Sequence, residues 1–145
     1  MSKLELNFSE NLKIRNIEYI PQARFDDCKN IVNLPYDFYF EFNNIKVRVE
    51  LQGNQHFMTT GKYNISKETF LKLATIDIKK CFCSYTKNVS YLSISYLCVD
   101  EIDHILTHYL KVLNESTYSF YITKNKYLTI SNNIFYTNVT NNDLY

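Results

Sequence analysis

Glycine and proline are nearly missing from this 145-residue chain, with two of each, and tryptophan is absent. With so few backbone breakers, turns must be read from Asn and from changes in hydropathy period. A charge excess of one sign is also lacking. Lys and Arg number 16 and Asp and Glu 15, for a net +1, which excludes a global field drawing the chain to nucleic acid or to a membrane surface. No apolar run approaches the roughly 18 residues of a spanning helix, so no membrane partner is expected. The start, Met1-Ser2-Lys3-Leu4-Glu5, lacks the apolar core of a signal peptide. The expectation is an intracellular protein, in the cytoplasm or nucleus of its host cell and not secreted. Cysteine is modest, at Cys28, Cys81, Cys83 and Cys98, and reads as ordinary buried thiols of a reducing compartment. Cys81 and Cys83 stand too close for a zinc knuckle, so no zinc is expected. What is present is apolar mass: 46% hydrophobic and 16% aromatic residues, enough for one real core in a chain of this length.

Periodicity then places the elements. Leu4, Phe8 and Leu12 form one stripe of a short helix. Ile17–Ile20 reads as a strand stopped by Pro21. Asp37–Phe42 and Ile45–Glu50 alternate polar and apolar on both sides of Asn43-Asn44, a strong hairpin signal because Asn tolerates positive φ. Ser66 can cap a helix over about 67–85 with Phe70, Leu73, Ala74, Cys81 and Tyr85 inward. Tyr91–Tyr96 alternates as a strand, and Asp100 can cap a helix with Ile102, Ile105, Leu106, Tyr109, Leu110 and Leu113 on one face. The order is helix, three strands, helix, strand, helix, an α/β sandwich around a small mixed sheet. The composition shifts after Asn114. Tyr118–Thr123 and Lys126–Ser131, around Lys124-Asn125, read as a second hairpin, trailed by Ile134–Val139. This divides the chain into a domain over 1–113 and a β-rich extension over 114–145, packed on the domain or at an interface.

The first hairpin carries the chemistry. A two-residue turn opposes Phe42 to Ile45, Phe40 to Val47 and Phe38 to Val49 on an apolar face. Glu41 then opposes Lys46, Tyr39 opposes Arg48, and Asp37 opposes Glu50 on the other. Opposed carboxylates repel, and a divalent cation would resolve the conflict. Mg²⁺ takes carboxylate oxygens and keeps waters for a phosphate substrate. Gln52 projects from the same face as Glu50, and Gly53 frees the backbone to turn. The alternative is two solvated carboxylates on splayed strand ends.

Leu34-Pro-Tyr-Asp37-Phe-Tyr and Val49-Glu-Leu-Gln-Gly-Asn-Gln-His-Phe57 together resemble the PD-(D/E)XK nuclease superfamily. The likeness is greatest to the very-short-patch-repair-like, homing-type endonucleases of phages, large DNA viruses and mobile elements. Phe25-Asp-Asp-Cys28, Asp77–Cys83 and Leu92–Tyr96 resemble the same group, and the likeness spans roughly residues 2–113. It implies a restriction-endonuclease-like core, α-β-β-β-α-β-α, with a mixed sheet flanked by helices. Asp37 and Glu50 are implied metal ligands, with the Leu51 carbonyl a candidate third. Glu5, in Ser2-Lys-Leu-Glu5, matches the group's first-helix acidic motif and is an implied catalytic residue binding a second metal or its water. The same four residues also spell a capping box. Gln55 and His56 match a Gln-His pair. Gln55 is an implied DNA contact, and His56 is read as a proton relay or phosphate contact against a structural imidazole. Two departures stand out: Gln52 replaces the superfamily lysine, and Ser93 stands where relatives often have Arg.

Residues 61–90 hold six lysines against two acids, a local excess within a neutral chain. Lys72, Lys79 and Lys80 are candidate DNA-backbone contacts, although a solvated helix face has the same composition. The resulting expectation is a Mg²⁺-dependent DNA endonuclease of homing or repair type, with Mn²⁺ able to substitute and with 5′-phosphate ends, as superfamily chemistry implies. The C-terminal extension is a candidate homodimer surface. The alternatives are a catalytically inactive nuclease-fold DNA-binding or assembly subunit, and a structure-selective junction resolvase.

Overall fold

A computed structural model describes residues 2–29, 32–53, 76, 79–115, 120–122 and 135–137. The first apolar stripe becomes helix α1, Lys3–Ile14, with Leu4, Phe8 and Leu12 buried. Its start is a capping box: Ser2 Oγ accepts from the Glu5 N–H at 3.1 Å, and the Glu5 carboxylate accepts from the Ser2 N–H at 3.3 Å. Strand β1 spans Tyr19–Lys29. It passes through Pro21, where a stop was expected, because β1 is the edge of the sheet and a missing N–H costs no ladder bond there. Gln22, at φ 51°, adds a kink that helps keep this open edge from pairing with another chain.

Strands β2, Asn33–Phe42, and β3, Ile45–Gln52, form the expected hairpin. Asn43 and Asn44 both adopt left-handed backbone, φ 51° and 66°, as a primed turn requires. The register is Phe42 to Ile45, Glu41 to Lys46, Phe40 to Val47, Tyr39 to Arg48 and Phe38 to Val49. Residues 79–86 form helix α2, within the expected 67–85 helix, whose Phe70, Leu73 and Ala74 lie outside the described residues. Cys81 is buried, but Tyr85, expected inward, is 37% exposed and stands edge-on to Phe82. Strand β4, Ser90–Ser95, pairs in parallel with β3. A 3₁₀ turn, Tyr96–Glu101, follows and is capped by Ser95, whose Oγ accepts from the Leu97 N–H. Asp100 thus lies inside this turn rather than capping the next helix. Helix α3, Ile102–Glu115, buries all six residues of its expected apolar face.

Two short strands, β5 (Phe120–Ile122) and β6 (Phe135–Thr137), complete a six-stranded mixed sheet in the order β1-β2-β3-β4-β5-β6. Both run parallel to their neighbours; the expected partner strand at 126–131 lies outside the described residues. One sheet face packs on α1 and α3 through Phe8, Leu12, Phe38, Phe40, Val49, Leu92, Ile105 and Tyr109. A second apolar cluster, Cys28, Leu34, Tyr36, Cys81 and Tyr91, joins α2 to the sheet. Among the described residues no helix is long and apolar enough to cross a membrane.

Phe8 is fully buried and stacks 5.3 Å from Phe38, while Ile14, on the same helix, is 76% exposed. Phe8→Ala is expected to cost about 3–5 kcal/mol in urea unfolding, and Ile14→Ala to stay within about 0.5 kcal/mol.

Candidate metal and phosphate site

Asp37 and Glu50 were expected opposite one another as a metal site at the hairpin edge, with solvated carboxylates on splayed strand ends as the alternative. Instead β3 lies inside the sheet, between β2 and β4, and every residue from Val47 to Gln52 is buried. Val47, Val49 and Leu51 enter the core with α1 and α3. By strand alternation Arg48, Glu50 and Gln52 face the other way, where β4 sets Tyr91, Ser93 and Ser95 beside them in register. Glu50 is only 2% exposed. A carboxylate in that position needs a cation, since desolvating an unpaired charge costs several kcal/mol. Lys80 supplies it from α2: Nζ lies 3.2 and 3.3 Å from the two Glu50 oxygens. The Lys80 carbonyl is held in turn by the Tyr36 hydroxyl, which donates to it at 2.7 Å.

Asp37 is not set squarely against Glu50. The regular β2–β3 ladder reaches only Phe38 and Val49, and alternation in β2 breaks beside it. Phe38 packs against Phe8, whereas Tyr36, two residues earlier, packs against Tyr91 and Phe25 in the α2 layer. Between them the Asp37 carboxylate turns to the end of β3 and accepts the Leu51 N–H at 2.7 Å. The like-charge conflict is therefore met by the protein itself: an amide holds Asp37 and an ammonium holds Glu50. Both acids make their contacts near the last residues of β3, Asp37 with the Leu51 amide and Glu50 with Lys80.

Gln52 sits on the same face and is buried, and its Oε1 accepts no hydrogen bond among the described residues. A buried amide oxygen without a partner, on the strand that carries Glu50 and whose Leu51 amide holds Asp37, is a set of hard oxygen donors whose chemistry fits a divalent ion such as Mg²⁺. Asp37, Glu50 and Gln52 would hold it. No group of three His, Cys, Asp or Glu side chains comes together among the described residues, so Glu5 does not join the two acids; its carboxylate serves the start of α1. Ser93 lies beside Glu50 in register. Lys79 is half-buried on α2, while Gln55, His56 and Lys72 lie outside the described residues. The groove lined by Arg15, Glu18, Tyr19, Tyr39, Glu41 and Asn43 is at the turn end of the hairpin, remote in register from Glu50.

Two features were not legible beforehand. Arg48 stands opposite Tyr39 as expected, but its side chain is buried under Phe25, whose ring centre is 4.0 Å from the guanidinium carbon. It makes a two-pronged pair with Asp27 at 2.8 and 2.7 Å. The hydrogen bond from Arg48 holds the Asp27 carboxyl below its ordinary 3.8 although burial opposes it. Cys28 and Cys83, expected as thiols, form a disulfide with Cα atoms 5.5 Å apart, which ties β1 to α2. Cys81 and Cys98 are buried outside any disulfide. A 55-residue separation hides such a pairing from local spacing; the one available signal was that both cysteines flank the motif segments.

None of the protein-family models, curated proteins or solved structures compared with this chain matches it.

Lys80→Met is expected to destabilise the fold by about 3 kcal/mol through the buried Glu50 charge. Lys80→Met with Glu50→Gln should recover part of that loss, and a urea-unfolding double-mutant cycle reads the coupling. The Asp27 carboxyl lies lower in the folded chain than in the unfolded one, so its contribution is complete above pH 3.8 and is lost as pH falls through the folded value below it. Asp27→Asn should lower stability at pH 6 and flatten the fall of the urea midpoint as pH drops below about 3.8, with little change of slope between pH 6 and pH 4.

Proposed function

We propose that this chain is a divalent-metal-dependent DNA endonuclease on a restriction-endonuclease-like core, with Asp37 and Glu50 as its metal ligands. The observation that carries the reading is the meeting, at one strand end, of Asp37, Glu50, the orphaned Gln52 oxygen and the Lys80 ammonium. Two carboxylates, a neutral oxygen donor and a lysine are what phosphodiester hydrolysis uses: ligands for a cation, and positive charge for the phosphate oxygens. The element order and the PD-(D/E)XK-like segments support the same reading, and Lys80 offers from α2 the ammonium that Gln52 cannot.

When bound, Mg²⁺ supplies a more acidic water and neutralises charge on the phosphate. The chain's own residues do the rest. The Leu51 amide orients Asp37, while the Lys80 ammonium pairs with Glu50 and brings positive charge to the site. The Gln52 amide can accept from a water but carries no charge. Tyr36 keeps Lys80 in place by fixing the start of α2. Lys80, with Lys79 next to it on α2, offers positive charge for a DNA backbone.

A second reading, a catalytically silent subunit of the same fold, is favoured by one observation: both acids already have protein partners. The two readings separate by plasmid nicking in Mn²⁺ or Mg²⁺ together with titration calorimetry. The endonuclease converts supercoiled plasmid, and Glu50→Gln or Asp37→Ala lowers that rate about 100-fold or more while most DNA binding is kept. Metal affinity that is absent from wild type, or present and unchanged in Glu50→Gln, sinks the endonuclease in favour of the silent subunit.

A further inference from the structure

α2 brings Lys80 to Glu50, and what holds α2 to the sheet is therefore part of the site. Lys80 and Cys83 are three residues apart on this helix, so their side chains leave the same face about 5–6 Å from one another. Cys83 is bonded to Cys28 on β1. The β1 stretch at Cys28 is poorly pinned by the sheet. Arg24 pairs with Pro35 and Lys29 with Asn33, which leaves four residues of β1, Phe25–Cys28, opposite Leu34 alone. The ladder does not hold this bulged stretch; side chains do, through Phe25 on Tyr36 and Tyr39, the Asn33–Asp26 hydrogen bond, the Asp27–Arg48 ion pair and the disulfide. Arg48 and Glu50 are two residues apart on the same face of β3. A single covalent bond thus joins the element that carries the Glu50 counter-ion to the segment that holds the neighbouring Arg48.

We propose that Cys28 and Cys83 are a reversible oxidation site whose disulfide latches α2 with Lys80 on Glu50, and whose reduction releases α2 and switches the site off. The inference rests on the endonuclease reading for its effect on activity and on geometry alone for the latch. Oxidation by a small-molecule disulfide such as oxidised glutathione balances directly. The thiolate of Cys83, the more accessible of the two because Cys28 is fully buried, attacks one sulfur of the oxidant and expels a thiolate. Cys28 sulfur then displaces the second one. The protein loses two electrons and two protons, and the oxidant becomes two thiols. A dithiol reductant reverses both steps. Cys81, two residues from Cys83, does not compete, since burial pushes its thiol up to about 12 and keeps it protonated.

The test uses the full chain, oxidised with glutathione disulfide or reduced with dithiothreitol, with the thiol state counted by mass spectrometry. The first readout is acylation of Lys80 by a succinimidyl ester, which needs no enzymatic activity. Lys80 should react at least fivefold faster in the reduced chain and in Cys83→Ser under either condition, with Lys13, on α1, reacting equally throughout. The second readout is plasmid nicking in Mn²⁺, expected at least tenfold faster for the oxidised chain, with the redox difference lost in Lys80→Gln. Equal Lys80 labelling in the two states overturns the latch, whatever the activity. Unequal labelling with equal nicking overturns the switch and leaves the endonuclease standing. Unequal labelling with no nicking in either state keeps the latch and sinks the endonuclease reading on which the switch depends.

Discussion

A carboxylate on the sixth residue of an interior strand, nearly closed off from water, is the constraint around which this molecule is arranged. Glu50 cannot remain ionised there without a cation close by, and the cation comes from α2, far along the chain. Everything that fixes α2 serves that meeting: the Tyr36 hydroxyl on the Lys80 carbonyl, Cys81 packed against Tyr36 and Tyr91, and the Cys28–Cys83 bond. The second ion pair, buried Arg48 with partly exposed Asp27, lies on the same face of β3 and ties that strand to β1. Both pairs make the α2 face of the sheet polar yet largely closed to water, a setting in which electrostatic contacts are strong.

The break in β2 is the second structural decision. A regular ladder would set Asp37 opposite Glu50 and leave two like charges in direct repulsion. The switch of face between Tyr36 and Phe38 instead lets Asp37 take the Leu51 amide, while Tyr36 is freed to brace α2. Irregularities of this kind re-aim side chains beside functional sites in many sheets. Here it separates the charges of the two acids by giving each its own partner, and it still leaves them at the same strand end.

Much of the scaffold follows from local pattern. α1, the Asn43-Asn44 hairpin with its residue-by-residue register, and the buried face of α3 all depend on periodicity and turn chemistry within a dozen neighbouring residues. Tyr85 shows where that reasoning ends: it lies on the right helical spacing but beyond the area that the sheet covers. Pro21 and Asp100 show the same limit at element ends, since an edge strand tolerates proline and a 3₁₀ turn can precede a helix. Glu5 belonged to two motifs at once, and the local one, the capping box, is the one its carboxylate forms.

The sequence alone determined which residues could alternate, which turn could close them, and that Asp37, Glu50 and Gln52 would arrive near one strand end. Tertiary structure decided the rest: that this end is buried, that Lys80 is the partner of Glu50, that Asp27 is the partner of Arg48, and that Cys28 finds Cys83. The reason is physical. Period and turn geometry act over a few residues, whereas burial and charge pairing depend on elements tens of residues apart being brought into one layer, and no spacing in the chain records which of them will meet.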